Sequence, residues 1–361
     1  MGGYEKMANK KVMIVLGTRP EIVKCASTIL ELENDTTINC VVVHTGQHPI
    51  LTMGIYKSFG IEPKYDLKVN GGSVSEMTAD ILVKMQPIYE TEQPDLVLVQ
   101  GDTCSTFGGA YSAFMHQIPI LHLEAGARTG NIKEPYPEEG IRLMVDSISD
   151  YHLCQCVEHL TNLIKENIDK PREIVGNTAI DALGLVEINK EKKPSILITM
   201  HRRENWDKIE SLISTIEELS HIYTEWSFVF VVHPNPLLSD PVNEAFKYSK
   251  NVKVLENMKY ESFVQLMAES RIILTDSGGV SQEAPTLGTP VVMLRDVCEN
   301  DELILNGLAV LTGMDETLIL QETERLINDK FYYNNRQGKN PYGDGKSSKK
   351  IIKFIGGILN E

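Results

Sequence analysis

Thr275-Asp276-Ser277-Gly278-Gly279-Val280-Ser281-Gln282-Glu283-Ala284-Pro285-Thr286-Leu287-Gly288-Thr289-Pro290 is the stretch that decides how this chain is read. An apolar run at 272–274 stops at Thr275-Asp276. A Ser-Gly-Gly turn follows, then a short helical stretch carrying Glu283. Gly288 and Pro290 come next, then a second apolar run at 291–294. The order is strand, glycine turn, helix, strand. Such a turn presents backbone N–H groups at a helix N-terminus, where a phosphate binds. Glu283, six residues after Ser277, adds a carboxylate able to accept two hydroxyl hydrogen bonds. A diphosphate beside a diol describes a nucleotide, with pyrophosphate on the turn and ribose on the glutamate. Taken alone, the stretch is also compatible with an ordinary βα turn whose glycines serve the backbone only.

Working outward, strand-like runs alternate with helical stretches through the whole chain. They fall at 12–16, 40–43, 96–99, 118–123 and 151–154, then at 196–199, 228–232, 252–255, 272–274 and 291–294. Most are short, β-branched and continuous rather than alternating, as parallel strands buried on both faces require. The connections are long enough for crossover helices, so the class is doubly wound α/β. The stretch 187–193 is polar and lysine-rich, and the boundary between two domains is expected near 177–191. Residues 347–359 carry Ile351, Ile352, Phe354, Ile355 and Ile358 at helical spacing and read as a closing amphipathic helix. Two such halves place ligand sites at the carboxyl ends of their strands.

The 361 residues suffice for two domains with full cores. Asp and Glu number 50 against 35 Lys and Arg, a formal charge of −15. That argues against a general nucleic-acid or anionic-membrane binder, and an anionic ligand needs a local cationic site. Apolar stretches are strand-length, far short of a membrane span. The opening MGGYEKMANKK has no apolar core of a secretory signal and reads as a loose leader before Lys11. Six cysteines, at 25, 40, 104, 154, 156 and 298, form no CxxC pair. Cys154-Gln155-Cys156 alternates like a strand with both thiols on one face. Buried reduced thiols in a cytoplasmic protein are expected.

The remaining chemistry sits where strands end. Gly17-Thr18-Arg19-Pro20-Glu21 follows the first run; Pro20 and Glu21 suit a helix start, and Arg19 there can neutralise a phosphate, with Lys24 further along. Gly101-Asp102-Thr103 follows the third run, where Asp102 also reads as a helix N-cap. His122-Leu123-Glu124-Ala125-Gly126 ends the next, with Arg128 as a partner for Glu124. Pro135-Tyr136-Pro137-Glu138-Glu139 stiffens the approach to a helix that includes Arg142, and one of the two acids reads as a helix-start acid only. Asp102, Glu124 and Glu138 thus come from neighbouring loops at one sheet edge. Clustered acids raise one another's pKa, which suits a carboxylate for proton transfer near neutral pH. In the second half His201-Arg202-Arg203-Glu204-Asn205 offers a proton-carrying histidine beside two arginines, or a charged helix start. His233-Pro234-Asn235-Pro236 ends the following strand in a rigid loop, its histidine a ligand contact or a packed ring.

Together these motifs, completed by Asn340-Pro341-Tyr342-Gly343-Asp344-Gly345, resemble the non-hydrolysing UDP-N-acetylglucosamine 2-epimerases in order and in content, from about residue 11 to the C-terminus. The resemblance implies the two-domain GT-B architecture, two Rossmann-like domains facing a central cleft, and a homodimer. It implies an N-terminal domain over 11–180 with the acids, a UDP-binding domain over 181–345, and a final helix over 346–361 returning to the first domain. The implied reaction interconverts UDP-GlcNAc and UDP-ManNAc by elimination of UDP to a 2-acetamidoglucal and re-addition. By motif, Asp102, Glu124, Glu138 and His201 become the catalytic candidates. Arg19, Ser277, Gly278 and Gly279 become diphosphate contacts and Glu283 the ribose contact; Lys24, Arg142, Arg202, His233, Arg295 and Asp296 join the substrate-binding set. No metal or nicotinamide is implied, since UDP is both leaving group and nucleophile.

The chain departs from the family pattern at Val297-Cys298-Glu299-Asn300-Asp301-Glu302, where a Thr-Thr-Glu-Arg-Pro-Glu run is usual, and at Gly140-Ile141 before Arg142. Pro49-Ile50-Leu51 after Gln47-His48 replaces polar residues near the allosteric site of bacterial members, which argues against allosteric activation. A 2-epimerase of a modified UDP-HexNAc and a hydrolysing epimerase releasing ManNAc remain open, as do, from other classes, a GT-B glycosyltransferase and a non-catalytic UDP-sugar binder.

Overall fold

A computed structural model describes residues 10–46, 49–69, 71–256, 258–296 and 301–360. Residues 1–9, where a loose leader is expected, Gln47-His48 and the stretch from Val297 to Asn300 with Cys298 lie outside them. The chain divides into two compact units, residues 1–185 with 345–361, and residues 186–344.

Unit 1 begins with β1 (Lys10–Leu16), α1 (Arg19–Asn34), β2 (Ile38–His44), α2 (Pro49–Phe59), β3 (Tyr65–Asp66) and α3 (Val74–Glu92). It continues with β4 (Leu96–Gln100), α4 (Cys104–Met115), β5 (Ile120–Leu123), α5 (Glu138–Ile148), β6 (Tyr151–Cys154), α6 (Val157–Lys165), β7 (Arg172–Ile174) and α7 (Thr178–Leu183). The seven strands form one sheet in the order β3-β2-β1-β4-β5-β6-β7, with every pair parallel. The central strands β1 and β4 are buried on both faces, which is why their sequences run apolar without alternation. A core of Met13, Val15, Val97, Val99, Ile81 and Met85 packs α3 and α4 on one face.

Unit 2 repeats the plan. It contains β8 (Lys193–Met200), α8 (Ile209–Ile222), β9 (Ser227–Val232), α9 (Pro236–Phe246), β10 (Val252–Glu256), α10 (Tyr260–Glu269), β11 (Ser270–Thr275) and α11 (Gly278–Glu283). β12 (Val291–Met293), α12 (Asp301–Leu305), β13 (Ala309–Leu311), α13 (Glu316–Asn328) and α14 (Lys330–Asn335) complete it. Its sheet order is β10-β9-β8-β11-β12-β13, again all parallel. Ile196, Ile198, Phe228, Phe230, Leu212 and Ile216 anchor its core.

Both sheets are doubly wound, as the run pattern requires. Three strands, β3, β7 and β13, are too short for a periodic signal and form by pairing with a neighbour at the sheet edge. β6 ends at Cys154, so Cys156 is not on the strand; it is the N-cap of α6. The five described cysteines are free. The final helix α15 (Ser347–Leu359) belongs to unit 1 and packs on α1 and α7. Ile351 and Ile355 are fully buried, Phe354 meets Tyr151 edge-on, and Ser348 donates from backbone and hydroxyl to Asp181, 2.8 Å each. No described helix is long and apolar enough to cross a membrane.

Strand order reverses direction between β1 and β4 in unit 1, and between β8 and β11 in unit 2. In sheets of this kind ligands bind at the carboxyl ends of the strands flanking that reversal. Residues 17–19 and 101–103 occupy that place in unit 1. His201-Arg202 and Asp276–Gly279 occupy it in unit 2.

Candidate active site

In unit 1 the two loops at the reversal are tied by one buried carboxylate. Thr18 caps α1, and Glu21, 1% exposed, accepts from the N–H groups of Gly17 at 3.2 Å and Thr18 at 2.6 Å. The same side chain accepts from the hydroxyls of Thr103 at 2.9 Å and Thr106 at 3.3 Å, across the sheet. Burial pushes its pKa up against the pull of these donors. Glu21 is therefore a structural bridge more than a complement to the helix dipole. Gly17 is needed for close approach: a Cβ there would lie 1.9 Å from Ser105 Oγ. Arg19 is the first residue of α1, partly buried beside this junction.

The three expected acids lie at the carboxyl edge of the same sheet, and each has a different environment. Glu124 follows β5 with φ of +74°, a left-handed backbone that a non-glycine residue adopts only when its surroundings impose it. Lys24 donates to its Oε2 at 2.5 Å, and Gln100 donates to the same oxygen. Burial favours the neutral acid, but the Lys24 charge and hydrogen bond outweigh it, and the Glu124 pKa is lowered. Asp102 receives Nε and Nη2 of Arg142 on Oδ2, both at 2.7 Å. Arg142 also donates to Glu139 at 2.8 Å. Glu138, the first residue of α5, stands apart. Its Oε2 is buried and has no hydrogen-bond partner among the described residues.

Three readings of the sequence are corrected here. Glu124 is not raised by neighbouring acids: Lys24 from α1 pairs with it, and its pKa moves down. Arg128 does not serve Glu124; it donates to Asp146 and Glu166, 2.7 Å each, while Lys24 takes the place beside Glu124. Glu139 is no mere helix-start acid, for it is 2% exposed and accepts from the N–H groups of Thr129 and Gly130.

In unit 2 a second buried carboxylate bridges the two loops. Asp276, fully buried after β11, accepts from the N–H of His201 at 3.0 Å, the N–H of Arg202 at 3.0 Å and the amide of Asn205 at 3.2 Å. Burial would raise its pKa, yet the His201 ring and these donors hold it below the ordinary value. Nδ1 of His201 lies 3.1 Å from Asp276 Oδ1, and the ring is nearly half exposed. His233, tilted against Trp206, accepts from Asn235 N–H through Nδ1 at 3.2 Å. Its pKa is pushed down by burial, then by the charges of His201 and Arg203, so it is a neutral ring with its proton on Nε2. Arg202 pairs with Glu204 at 3.2 Å and Asp296 with Lys208 at 3.6 Å; Arg295 is buried.

The Ser-Gly-Gly segment is itself the start of α11. Ser277 is the N-cap and accepts from Val280 N–H at 3.3 Å; Gly278 and Gly279 are the first helical residues. Neither glycine has positive φ. What they contribute is bare backbone: a Cβ on Gly279 would stand 3.9 Å from Ser277 Oγ and 4.0 Å from Glu283 Oε1, so hydroxyl, carboxylate and open N–H groups border one space. This is a set of donors for a phosphate with an acceptor for hydroxyls beside it.

Glu21, Asp276, His122 and Asp146 were not among the expected site residues. The first three stand inside quoted motifs, and their burial was the missing fact. Asp146 has no local signal at all.

A model of the UDP-N-acetylglucosamine 2-epimerase family matches residues 30–356. A UDP-N-acetylglucosamine 2-epimerase of Bacillus subtilis is 38% identical over 365 residues, covering 97% of this chain and 96% of the relative. The crystal structure of UDP-GlcNAc 2-epimerase from Neisseria meningitidis bound to UDP-GlcNAc superposes with a TM-score of 0.88 at 37% identity, covering 96% of this chain and 99% of that one. The S. aureus MnaA–UDP structure gives 0.89 at 33%, covering 97% of each chain. The fold is of the GT-B class. With two parallel doubly wound sheets, an acid-rich edge on one and a serine-glycine helix start on the other, the chain belongs to the UDP-N-acetylglucosamine 2-epimerase family.

Proposed function

We propose that this protein interconverts UDP-GlcNAc and UDP-ManNAc without hydrolysis. Unit 2 holds the UDP moiety through Ser277, Gly278, Gly279 and Glu283, with His201 and its neighbouring cations on the phosphate side. Unit 1 acts on the sugar, and Arg19 contributes charge to the diphosphate. The observation that carries the reading is the division of labour among the acids. Asp102 and Glu124 are held in ion pairs with Arg142 and Lys24, while Glu138 has a buried oxygen with no hydrogen-bond partner among the described residues.

The C2 proton of the sugar is not beside a carbonyl and is weakly acidic. Cleavage of the anomeric C1–O bond therefore leads, and its electron pair leaves with UDP. Carboxylates stabilise the oxocarbenium character that develops, and cations and N–H groups stabilise the departing diphosphate. The C2 proton passes to a carboxylate, for which Glu138 is the candidate, and the C1=C2 bond of 2-acetamidoglucal forms. In the return step a proton is delivered to C2 from the opposite face, and a phosphate oxygen of UDP reforms the bond to C1. UDP is leaving group and nucleophile in turn, so the electron balance closes without a redox partner.

A homodimer is part of this proposal. Exposed Val83 on α3, Phe114 and Met115 on α4 and Met144 on α5, from successive contacting helices, support it. A cytoplasmic location suits the free thiols and the nucleotide-sugar substrate.

The test is incubation with UDP-GlcNAc in D2O, followed by proton NMR. UDP-ManNAc appearing with deuterium at C2 is the expected result. Free ManNAc would make the protein a hydrolysing epimerase. Absence of exchange with UDP-GlcNAc, but exchange with a modified UDP-HexNAc, would move the substrate; absence with both would end the epimerase reading.

A further inference from the structure

Beneath the three acids of unit 1 lies a charged cluster that the proposed chemistry does not use. His122 on β5 and Asp146 on α5 are fully buried, and the Arg128 side chain is 8% exposed. His122 Nδ1 stands 2.6 Å from Asp146 Oδ1, and its Nε2 stands 2.8 Å from the carbonyl oxygen of Gly101. A carboxylate and a backbone carbonyl both accept, so both ring nitrogens donate and the ring is an imidazolium. The electrostatics agree. Burial disfavours this charge, but Asp146 and the Gly101 carbonyl outweigh burial and the opposing Arg128, and the pKa is raised. Burial alone would raise the Asp146 pKa; His122 and then Arg128 hold it far below the carboxylate range.

His152 supplies the contrast. It pairs with His122 in register across β5 and β6 and is equally buried. Its Nε2 donates to the Asp146 carbonyl at 2.9 Å, its Nδ1 has no hydrogen-bond partner among the described residues, and burial pushes its pKa down. That ring is neutral. The charged and titratable groups around His122 are thus Asp146 from α5, Arg128 from the segment after β5 and His152 from β6; the loop after β4 presents the Gly101 carbonyl.

The cluster is connected to the neighbourhood of each of the three acids. Gly101, itself at φ +73°, directly precedes Asp102. Asp146 Oδ2 accepts from Gly126 N–H at 3.1 Å, two residues beyond Glu124 with its left-handed backbone. The helix that carries Asp146 begins at Glu138. We propose that His122 is a positioning residue: with Asp146 and Arg128 it forms a buried imidazolium–carboxylate–guanidinium knot that sets the mutual geometry of Asp102, Glu124 and Glu138. The inference rests on the assignment of those acids to the epimerase reaction.

The test begins with the unaltered protein. In protein labelled with 15N at histidine, with His122 assigned by its loss in His122→Gln, both ring nitrogens carry a proton at neutral pH. A singly protonated ring overturns the proposal, and this reading stands whether or not the chain is an epimerase. The second arm is Asp146→Asn, which keeps the shape and removes the charge. The expected result is loss of the imidazolium signal and a kcat about 100-fold lower with little change in KM, the scale of a misplacement of about 1 Å. A folded Asp146→Asn protein with kcat within about twofold of the parent overturns the proposal. Should that variant fail to fold, Arg128→Lys reads the same kcat-against-KM split, with the same two outcomes. An inactive parent with an intact imidazolium signal would instead count against the epimerase reading alone.

Discussion

Replacing Lys24 by Met tests the ion pair that sets the state of Glu124. At 2.5 Å and an effective dielectric of about 20, the gross attraction is about 6–7 kcal/mol, most of it offset by desolvation. Breaking a fully buried pair costs about 3–5 kcal/mol, because one charge is stranded. Here both side chains are 21% exposed and Gln100 remains on the same oxygen, so about 2–3 kcal/mol is expected. For a unit of this size that is a midpoint roughly 4–12 °C lower. The pH dependence gives the sharper test. Glu124 has a lowered folded pKa, so its contribution is present above the unfolded value and is lost as pH falls through the folded one. Lys24 is raised by Glu124 against burial, so its side of the same interaction is lost only in alkali, as pH rises through its folded pKa. In Lys24→Met, burial acts on Glu124 without its main opponent, and the carboxylate destabilises whenever it is ionised. The stability gap between the two proteins is therefore wide at about pH 7.5 and narrows towards about pH 4, near the ordinary carboxylate value. Calorimetric scans at the two pH values measure it. A gap that is absent, or that is the same at both, would refute the account of Glu124 as an acid kept ionised by Lys24.

Glu138→Gln should lower turnover by about 100- to 10,000-fold, the usual worth of a general acid or base, while UDP affinity measured by calorimetry stays within about twofold. Retained turnover would remove Glu138 from the proton path. Gly17→Ala should cost about 2–4 kcal/mol, because the new Cβ meets Ser105 Oγ at 1.9 Å and Thr45 Oγ1 at 2.3 Å and disrupts their 2.8 Å hydrogen bond. Adding Ser105→Ala returns only part of that loss, since Ser105 Cβ itself lies 2.9 Å away; an unchanged urea midpoint for the single variant would contradict the close approach.

Much of the site was legible because the α/β plan places chemistry at the ends of strands, where a short local motif marks it. Arg19, Asp102, Glu124, His201 and Ser277 each stand one to three residues beyond an apolar run, and the strand order brings four of those five runs to the two reversals. The states of these groups were not legible. Lys24 and Glu124 are 100 residues apart, as the pair at the heart of unit 1. Arg128 and Glu124 are close in sequence and do not pair, because the left-handed turn at Glu124 and Gly126 sends the intervening chain towards Asp146 instead.

What the sequence determined by itself was the succession of elements and the residue types at each strand end, since burial on both faces demands continuous apolar runs and glycine, proline and capping residues punctuate them locally. Only the tertiary structure decided which charges meet. Glu21 and Asp276 became bridges, His122 became a cation and His152 stayed neutral, because pKa and hydrogen bonding depend on desolvation and on partners brought together across the sheet, and neither is a property of neighbouring residues in the chain.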